Sequence, residues 1–419
     1  MLRSFLARPL PLLSHLRRHN CHSVPLLGRR AGQIISRSYT SSDDDTDGDA
    51  DRPEAKSAMA PNCASPNQHR KGHLYVVLDD WKKGFSIHKL DLDDGSDGGG
   101  DLTLRAPAYR QATDLLRYWN FAAVGSKIVC AGEIKYEEEG KDGGLTLVYD
   151  TETSGLSIVP RLPAAVCVPW FMAAAARNAL YAFEDMSKRD EQYNVGMYRL
   201  EEAPSDHWSW KSFPSPPPFN TSGMGMMHSI TVHPEGGGGR TIFVSVGSQM
   251  PTLNPYTGHT YSYDVGSGEW MDHGEWGLPF HGQADYDVEL DAWVGLHNGY
   301  EGHSCVDGYI CSCDVVSPDG SSPQPAWKLC DERLFNPNTE CASLVYMGEN
   351  TYGIVKLVYL EAFKSRRRVD VGNNCMICLS MFRLKYNKNG DLTITARQPD
   401  RSYLFSRYTH GFQVQAFWM

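Results

Sequence analysis

Short apolar segments separated by glycine-containing turns follow one another along the chain from Leu74 onward. The segment 74–78 (LYVVL) precedes 85–91 (FSIHKLD), and the longer segment 120–130 precedes 145–150 (LTLVYD). Apolar and polar residues that alternate over about four to eight positions, bounded by turn residues, are typical of antiparallel β-strands. The pattern therefore predicts an all-β chain.

The same theme recurs as a long-period repeat. Each unit has an apolar strand, a glycine turn, a second strand that ends in aspartate, and an aromatic or proline-rich segment. Six units begin near residues 74, 120, 173, 228, 282 and 341, at spacings of about 46 to 59 residues. This period and four strands per unit are typical of propeller blades. We predict a single β-propeller over residues 72–419, with six blades of four antiparallel strands.

The segment 412–418 (FQVQAFW) has the pattern of a strand at the C-terminal end of the chain. Propellers often close when a strand from one terminus pairs with the blade begun at the other, so we expect this segment to complete the first blade. The alternative architecture is two packed β-sandwiches, which does not predict the recurring strand ends at Asp150, Asp264 and Asp314.

Charge and cysteine content narrow the class of protein further. The net charge is −10, which argues against a general nucleic-acid or anionic-membrane surface, because such surfaces need clustered Lys and Arg. The isolated run 366–368 (RRR) is read as a solvated loop tip, or else as a local contact to an anion or partner. Eleven irregularly spaced cysteines indicate reduced thiols rather than a disulfide framework. No apolar run reaches the roughly 18 residues that span a bilayer.

The first 71 residues differ in composition from the rest of the chain. Residues 1–40 contain seven Arg and no Asp, Glu or Lys, which is typical of a cleavable organelle-targeting leader. The run 37–42 (RSYTSS) resembles a mitochondrial processing site, so we expect cleavage near Tyr39 and a mitochondrial location; a plastid or the cytosol is the alternative. Residues 41–71 are rich in Asp, Ser and Pro and are predicted to be an acidic disordered linker.

Several of these segments resemble known propellers. The runs 148–153 (VYDTET) and 261–264 (YSYD), the latter followed by Trp270, are similar to kelch and galactose-oxidase-type propellers. More closely, the chain resembles a large grass family of kelch-like proteins with a domain of unknown function, and this resemblance covers nearly all of 72–419. The resemblance implies a plant propeller and attaches no known activity to it. Related plant kelch propellers often follow an F-box, whereas here the leader and linker precede the repeats. The matching segments are 73–81 (HLYVVLDDW), 273–280 (HGEWGLPF), 289–296 (ELDAWVGL), 325–329 (PAWKL), 344–348 (LVYMG) and 416–419 (AFWM).

Four sequence features suggest chemistry, and each has a structural alternative. Asp285, Asp287, Glu289 and Asp291 alternate and are read as one face of a solvated strand edge, or else as a site for a cation or basic partner. The pair Cys375 and Cys378 has the spacing of a redox or zinc knuckle, but on a strand the two thiols point to opposite faces. Cys305, Cys311, Cys313 and Cys330 could supply zinc ligands, although their spacing is not standard. The run 236–239 (GGGG) lacks the Lys and Ser or Thr of a phosphate loop and is read as a hairpin tip.

The sequence assigns no catalytic, cofactor-binding or metal-binding residue. Galactose oxidase holds copper with Tyr and His, but no residue here can be matched to that motif. Most of the recurring tryptophans are predicted to pack between blades, and any that are exposed would be anchors for a protein partner: Trp208, Trp210, Trp270, Trp276, Trp293 and Trp327.

Two functions are therefore open. The first is a binding scaffold that recognises a protein or small ligand through loops at 185–193, 249–258 and 297–305. The second is a metal-dependent, galactose-oxidase-like enzyme with its site at the central channel. Of the two, the pattern favours the non-catalytic scaffold.

Overall fold

The chain is all-β, as the sequence pattern predicts. The computed structural model describes residues 72–80, 84–92, 102–112, 116–134, 144–160, 172–176, 178–185, 195–202, 207–213, 217–219, 225–234, 241–248, 258–299, 306–320, 323–336, 340–359, 374–406 and 413–419. These residues form 26 strands, and none of them is helical. Among them, no helix exists that is long and apolar enough to cross a bilayer. The leader at 1–40, the linker at 41–71 and the basic run at 366–368 lie outside the described residues.

Sheet 1 joins the two ends of the repeat region. Its strand order is β26-β1-β2-β4. The C-terminal strand runs antiparallel to the first one, with Leu74 opposite Trp418 and Asp79 opposite Gln413. The predicted pairing of 412–418 with the first unit is therefore confirmed. The bounds are β1 (Leu74–Asp80), β2 (Gly84–Leu90), β4 (Tyr109–Ala112) and β26 (Gln413–Trp418).

Sheets 2 and 3 are single antiparallel sheets of four strands each, formed from consecutive strands of the chain. Sheet 2 contains β5 (Leu116–Val124), β6 (Lys127–Ile134), β7 (Gly144–Asp150) and β8 (Leu156–Val159). Sheet 3 contains β9 (Met172–Ala176), β10 (Ala179–Asp185), β11 (Val195–Glu202) and β12 (Trp208–Ser212).

Sheets 4 and 5 each have four antiparallel strands, and a parallel pairing of their first strands joins them into one sheet of eight strands. Sheet 4 contains β13 (Gly225–Val232), β14 (Thr241–Ser248), β15 (Gly258–Asp264) and β16 (Glu269–Gly274). Sheet 5 contains β17 (Gly282–Asp287), β18 (Ala292–Leu296), β19 (Ile310–Asp314) and β20 (Trp327–Leu329).

Sheet 6 is the least regular. Its strands follow the order β21-β22-β23-β25-β3, and β24 pairs with β23 as well. The bounds are β21 (Glu340–Gly348), β22 (Thr351–Tyr359), β23 (Asn374–Tyr386), β24 (Leu392–Thr395), β25 (Arg401–Ser406) and β3 (Leu102–Thr103).

The predicted repeat matches these sheets. The six unit starts near 74, 120, 173, 228, 282 and 341 fall in β1, β5, β9, β13, β17 and β21, and the last five of these are the first strands of sheets 2 to 6. The described strands form five hydrogen-bonded sheets, the largest of which contains both sheet 4 and sheet 5, instead of the two facing pairs of the β-sandwich alternative.

Two of the recurring strand-end aspartates, Asp150 and Asp264, cap a hairpin turn. The Asp150 carboxylate accepts a hydrogen bond from the main-chain N–H of Glu152 at 2.9 Å. Asp264 accepts two, from Gly266 at 2.7 Å and Ser267 at 2.6 Å. In both hairpins the preceding tyrosine is buried between sheets. The repeated Tyr-Asp pair therefore combines a core residue with a turn cap.

Four buried apolar clusters lie between neighbouring sheets. One spans sheets 1 to 4, and the other three join sheet 4 to 5, sheet 5 to 6 and sheet 6 to 1. Representative members are Phe85, Phe121, Phe183 and Val244 in the first cluster, Phe243 and Trp293 in the second, Val294 and Ile354 in the third, and Leu357 and Val76 in the fourth.

The recurring tryptophans pack into two of these clusters. Trp208 is buried in the cluster of sheets 1 to 4, where Trp210 and Trp270 pack against it. Trp276 and Trp293 are buried in the cluster of sheets 4 and 5, with Trp327 beside them. The predicted packing role of all six is confirmed.

One glycine in sheet 5 is required by close packing. A Cβ added to Gly295 in β18 would lie 2.8 Å from Cδ1 of Phe280 and 3.1 Å from Cβ of Ala284. We expect Gly295→Ala to lower the free energy of unfolding by about 2 kcal/mol, because the core must move to accept the methyl group. Urea denaturation of the purified chain measures this change.

The matched control is another strand glycine that has room for a methyl group. At Gly353 in β22 the nearest atoms would be Met347 Sδ at 3.4 Å and Leu379 Cδ1 at 3.6 Å, which are ordinary contacts. Gly353→Ala should leave stability unchanged or raise it by about 0.5 kcal/mol, since alanine restricts the unfolded chain. Equal losses in the two variants would contradict the packing argument.

Candidate functional site

The junction between sheets 4 and 5 brings together polar groups from distant parts of the chain. The strands β13 and β17 run parallel, with Ser229 opposite Gly282 and Thr231 opposite Ala284. Since β14 and β18 are antiparallel to these strands, both end at the edge where β13 and β17 begin. The connections from β14 to β15 and from β18 to β19 therefore leave sheets 4 and 5 at one shared edge, which we call the junction edge.

Two histidines sit at the junction edge. His228 and His281 each precede the paired residues Ser229 and Gly282. The His228 side chain is buried, with 3% of its surface exposed. Its Nδ1 lies 3.4 Å from the carbonyl oxygen of Phe280, and within the described part of the chain its Nε2 has no hydrogen-bond partner.

Two glycines enclose the His228 ring. A Cβ on Gly277 would lie 3.2 Å from Nε2, and one on Gly258 would lie 3.3 Å from the same atom. The main chain at these two glycines therefore lies close to the ring. This arrangement fixes the ring in place.

Both imidazoles are neutral at ordinary pH. Burial lowers the pKa of His228 to about 4, and the hydrogen bond to Phe280 only partly opposes this effect. Burial, and next the nearby His228, together lower the pKa of His281 to about 4. A proton on either ring would be placed in a poorly hydrated site beside another imidazole, so the pair stays uncharged.

A histidine–carboxylate pair lies at the base of the loop that connects β18 to β19. Nδ1 of His297 lies 2.7 Å from Oδ2 of Asp307, and the His297 ring stacks on Trp327 with centroids 5.3 Å apart. Main-chain N–H of His297 donates to the carbonyl of Tyr309 at 3.0 Å. These contacts hold the two ends of the connection between β18 and β19 together, which gives the loop a rigid base.

A network of buried hydroxyls anchors the segment that leads from sheet 4 to sheet 5. Ser245 Oγ and Thr260 Oγ1 are 2.8 Å apart. Thr260 donates to the carbonyl of Trp276 at 2.6 Å, and the N–H of Leu278 donates to Ser245 at 3.0 Å. The segment that carries Phe280 and His281 is thus hydrogen-bonded to the middle of sheet 4.

The loops predicted to bind a partner occupy equivalent places in three consecutive sheets. Each of 185–193, 249–258 and 297–305 connects the second strand of its sheet to the third. The junction edge carries the second and third of these loops. Their interiors, residues 186–194, 249–257 and 300–305, lie outside the described residues.

The interpretation of the alternating acids as one strand face is wrong. The strand β17 ends at Asp287, and the chain turns through 288–291, where Asp291 has a φ of 47°. Asp287 is fully buried. Its carboxylate accepts hydrogen bonds from Tyr352 Oη at 2.7 Å, from Glu289 N at 2.9 Å and from Leu290 N at 3.2 Å. The residue is a buried turn cap, so the four acids do not form a solvated edge or a common cation site.

The cysteines are core residues where the structure describes them. Cys311 and Cys313 belong to the cluster of sheets 4 and 5, whereas Cys330 belongs to that of sheets 5 and 6. Burial raises the pKa of Cys311 well above its usual range and that of Cys330 to about 11, so these thiols stay protonated. Cys378 is buried, and its Sγ lies 3.7 Å from Ser402 Oγ. Cys305 lies outside the described residues, and no group of three or more His, Cys, Asp and Glu side chains is found within them.

His228 and His281 do not stand out in the sequence. Their only signal was that each stands near the start of its own repeat unit, at 228 and 281. Their proximity depends on the parallel pairing of β13 with β17, which joins residues 53 positions apart in the chain.

The chain was compared with protein families and with other proteins. The family described as "Protein of unknown function (DUF1668)" matches residues 71–403. No curated protein matches the chain.

Solved structures that resemble the chain share little sequence with it. A protein from Lactobacillus plantarum is 9% identical, covers 83% of this chain and 99% of its own, and has a TM-score of 0.39. The nidogen/laminin complex structure is 8% identical, with 83% and 98% covered and a TM-score of 0.39. The Dos1 propeller is 10% identical, with 81% and 78% covered and a TM-score of 0.32. No functional argument rests on these similarities.

Proposed function

The chain belongs to the DUF1668 family of proteins of unknown function, and from this premise we propose that it is a non-catalytic binding scaffold. We place its recognition surface on the loops that connect the second and third strands of sheets 3, 4 and 5. The ligand is an unidentified protein or small molecule.

The proposed scaffold is a single closed ring of six blades of the kelch type. The circular order of the buried clusters supports this proposal, because they link sheet 1 through sheet 4, then 4 to 5, 5 to 6 and 6 back to 1. The pairing of β26 with β1 supplies the closing strand. Such a ring leaves only short strand edges and holds its loops on a rigid base.

The junction edge is the single observation that carries the binding role. Two loops of sheets 4 and 5 leave at this edge because β13 and β17 lie side by side in parallel. The His297–Asp307 pair and the Ser245–Thr260 hydroxyls hold the strands beneath them. Rigid bases under adjacent loops lower the entropy lost on binding.

The metal-dependent alternative has less support. A channel enzyme of the galactose-oxidase type needs several convergent His, Tyr or carboxylate ligands. Among the described residues, no three or more His, Cys, Asp or Glu side chains are grouped so that they could hold a metal ion. The main chain at Gly258 and Gly277 packs against the His228 ring. The scaffold therefore remains the proposal, together with the predicted mitochondrial import of the chain by its leader.

Loop replacement tests the recognition surface. Residues 249–257 and 300–305 are replaced together by Gly-Ser linkers of equal length, and the variant is expressed with a C-terminal tag in plant cells beside the unaltered chain. Proteins that co-purify are quantified by mass spectrometry. We expect a reproducible partner of the unaltered chain to fall by about tenfold or more, since the hot spots of an interface are few and local.

The control replaces the connection at the opposite end of sheet 4, residues 235–240, by a linker of the same length. This change alters the same sheet but leaves the junction edge intact, so the partner should be retained. A partner lost equally from both variants would point to general misfolding of the scaffold. A partner kept by the junction variant and lost from the control would overturn the assignment of the surface.

A further inference from the structure

The first strands of the six sheets lie close to one another. We call them the inner strands: β26, β5, β9, β13, β17 and β21. They approach one another in the order β26, β21, β17, β13, β9 and β5, with Cα atoms of neighbouring strands within 8 Å. The strand β9 also approaches β17 to within this distance. The inner strands therefore enclose only a small space.

Besides His228, four buried residues of the inner strands have polar atoms that form no hydrogen bond with the described part of the chain. Neither Oε1 nor Nε2 of Gln415 in β26 has a partner, and the same holds for Trp119 Nε1 in β5, Ser229 Oγ in β13 and Gln283 Oε1 in β17. Gln283 is the most exposed of the four, at 8%. Buried polar atoms in native proteins nearly always have a partner. These atoms therefore indicate a partner from outside the described chain.

These groups lie at one level of the inner strands. In three sheets, one inner-strand position pairs, across the second strand, with the fourth residue before the aspartate at the end of the third strand. It is occupied by Gln415 in sheet 1, Asn120 in sheet 2 and Ser229 in sheet 4. Trp119 directly precedes Asn120. Gln283 lies on the strand paired with β13, one position beyond the level of Ser229.

The unpartnered atoms include both donors and acceptors. The indole N–H of Trp119 and the amide N–H groups of Gln415 donate, the two carboxamide oxygens accept, and the Ser229 hydroxyl does either. A hydroxyl group can meet all of these atoms, whereas an anion only accepts and an ammonium group only donates. The inner strands also contain a single basic residue, Arg117, against three acidic ones, which disfavours an anion.

We propose that the inner strands bind a small uncharged polyol, up to the size of a monosaccharide, through Gln415, Trp119, Ser229 and Gln283. The small space between the strands sets the upper limit of size. A few polar groups in mostly apolar surroundings are typical of sites that orient a small ligand. This site is formed by strands and needs neither loop of the junction edge, so it and the proposed recognition surface can fail separately.

Isothermal titration calorimetry of the purified full-length chain tests the site, with D-glucose, D-galactose and myo-inositol as probes, each raised to roughly 50 mM. We expect at least one of them to bind in a 1:1 ratio with a Kd below about 5 mM. Gln415→Leu keeps a similar volume without the carboxamide and should weaken binding by at least about tenfold. Gln283→Leu should weaken it as well. The urea midpoint of Gln415→Leu should not fall, because the replaced carboxamide has no partner in the free protein.

The control is Gln398→Leu, which makes the same change at an exposed glutamine. This variant should bind the probes like the unaltered chain. The proposal is overturned if none of the three probes binds the unaltered chain, since ordered water then fills the site. It is also overturned if Gln415→Leu binds as tightly as the control. A lower urea midpoint of Gln415→Leu would contradict it too, by showing that the carboxamide has a partner within the protein.

Discussion

Replacing Asp287 with alanine should lower the free energy of unfolding by about 4 kcal/mol, the largest effect we expect from a single substitution. The carboxylate is fully buried and accepts three hydrogen bonds. In the variant, the Tyr352 hydroxyl and two main-chain N–H groups of the turn lose their acceptor. Each buried donor without a partner costs about 1–3 kcal/mol. Urea denaturation of the purified protein measures the loss.

The Tyr352 hydroxyl stays protonated at ordinary pH. Burial, and next the neighbouring Asp287 carboxylate, raise the pKa of Tyr352 well above its ordinary value. The phenol is therefore a permanent donor that links β22 of sheet 6 to the end of β17 in sheet 5. Tyr352→Phe removes only this one bond, so it should cost less, about 1–2 kcal/mol.

Asp291→Asn is the matched control for the Asp287 experiment, because asparagine tolerates the positive φ of this position. Asp291 lies in the same turn but is exposed, and it accepts a hydrogen bond from Tyr286 at its surface. We expect its loss to cost less than about 1 kcal/mol. In the double variant Asp287→Ala/Tyr352→Phe, the combined loss should be smaller than the sum of the single losses, because the phenol no longer needs an acceptor. Additive losses would show that the two side chains do not stabilise each other.

Acidification should weaken the fold through the junction histidines. The ordinary pKa of histidine is 6.5, whereas burial lowers that of His228 to about 4. Between these two pH values the unfolded chain binds a proton that the folded chain does not. The free energy of unfolding therefore falls as the pH falls from 6.5 to 4, by about 1.4 kcal/mol per unit and about 3 kcal/mol in total from His228. Above pH 6.5 this contribution to stability is fully present.

Urea denaturation at a series of pH values from about 4 to 7.5 measures this dependence. His228→Gln keeps a polar group without a titrating proton, so the loss between pH 6.5 and 4 should shrink by about 3 kcal/mol. The carboxylates titrate in both proteins, so their contribution cancels when the pH dependence of the free energy of unfolding is compared between the unaltered chain and the variant. His207→Gln, at an exposed position, should leave the slope unchanged. If the slope of His228→Gln equals that of the unaltered chain, the conclusion that His228 is buried and neutral in the folded protein is refuted.

The strands and the repeat units could be predicted from the sequence because local patterns repeat six times. Strand alternation, glycine turns and the Tyr-Asp ends are short-range signals, and each predicted unit start falls inside a strand. The strand near 412–418 was equally visible, and its pairing partner followed from the way propellers close. These predictions needed no knowledge of contacts between distant residues.

The polar sites were less accessible because they depend on where strands end and which strands meet. Alternation of Asp285, Asp287, Glu289 and Asp291 suggested one continuous strand, but the chain turns after Asp287 and buries that carboxylate against Tyr352, 65 positions away. Similarly, His228 meets His281 only because β13 and β17 pair in parallel across two repeat units. Alternation along one segment carries no information on such partners.

The pairing of β1 with β26 has a consequence for how the chain is made. The ribosome produces β1 before every other described strand, but the strand that runs beside it follows all of them in the chain. Until β26 has emerged, sheet 1 has an uncovered edge, and Leu74, Val76 and Leu78 lack the partners that β26 supplies. Completion of sheet 1 therefore waits for β26, and a nascent chain that does not yet contain it exposes that edge to chaperones and to other unfinished copies.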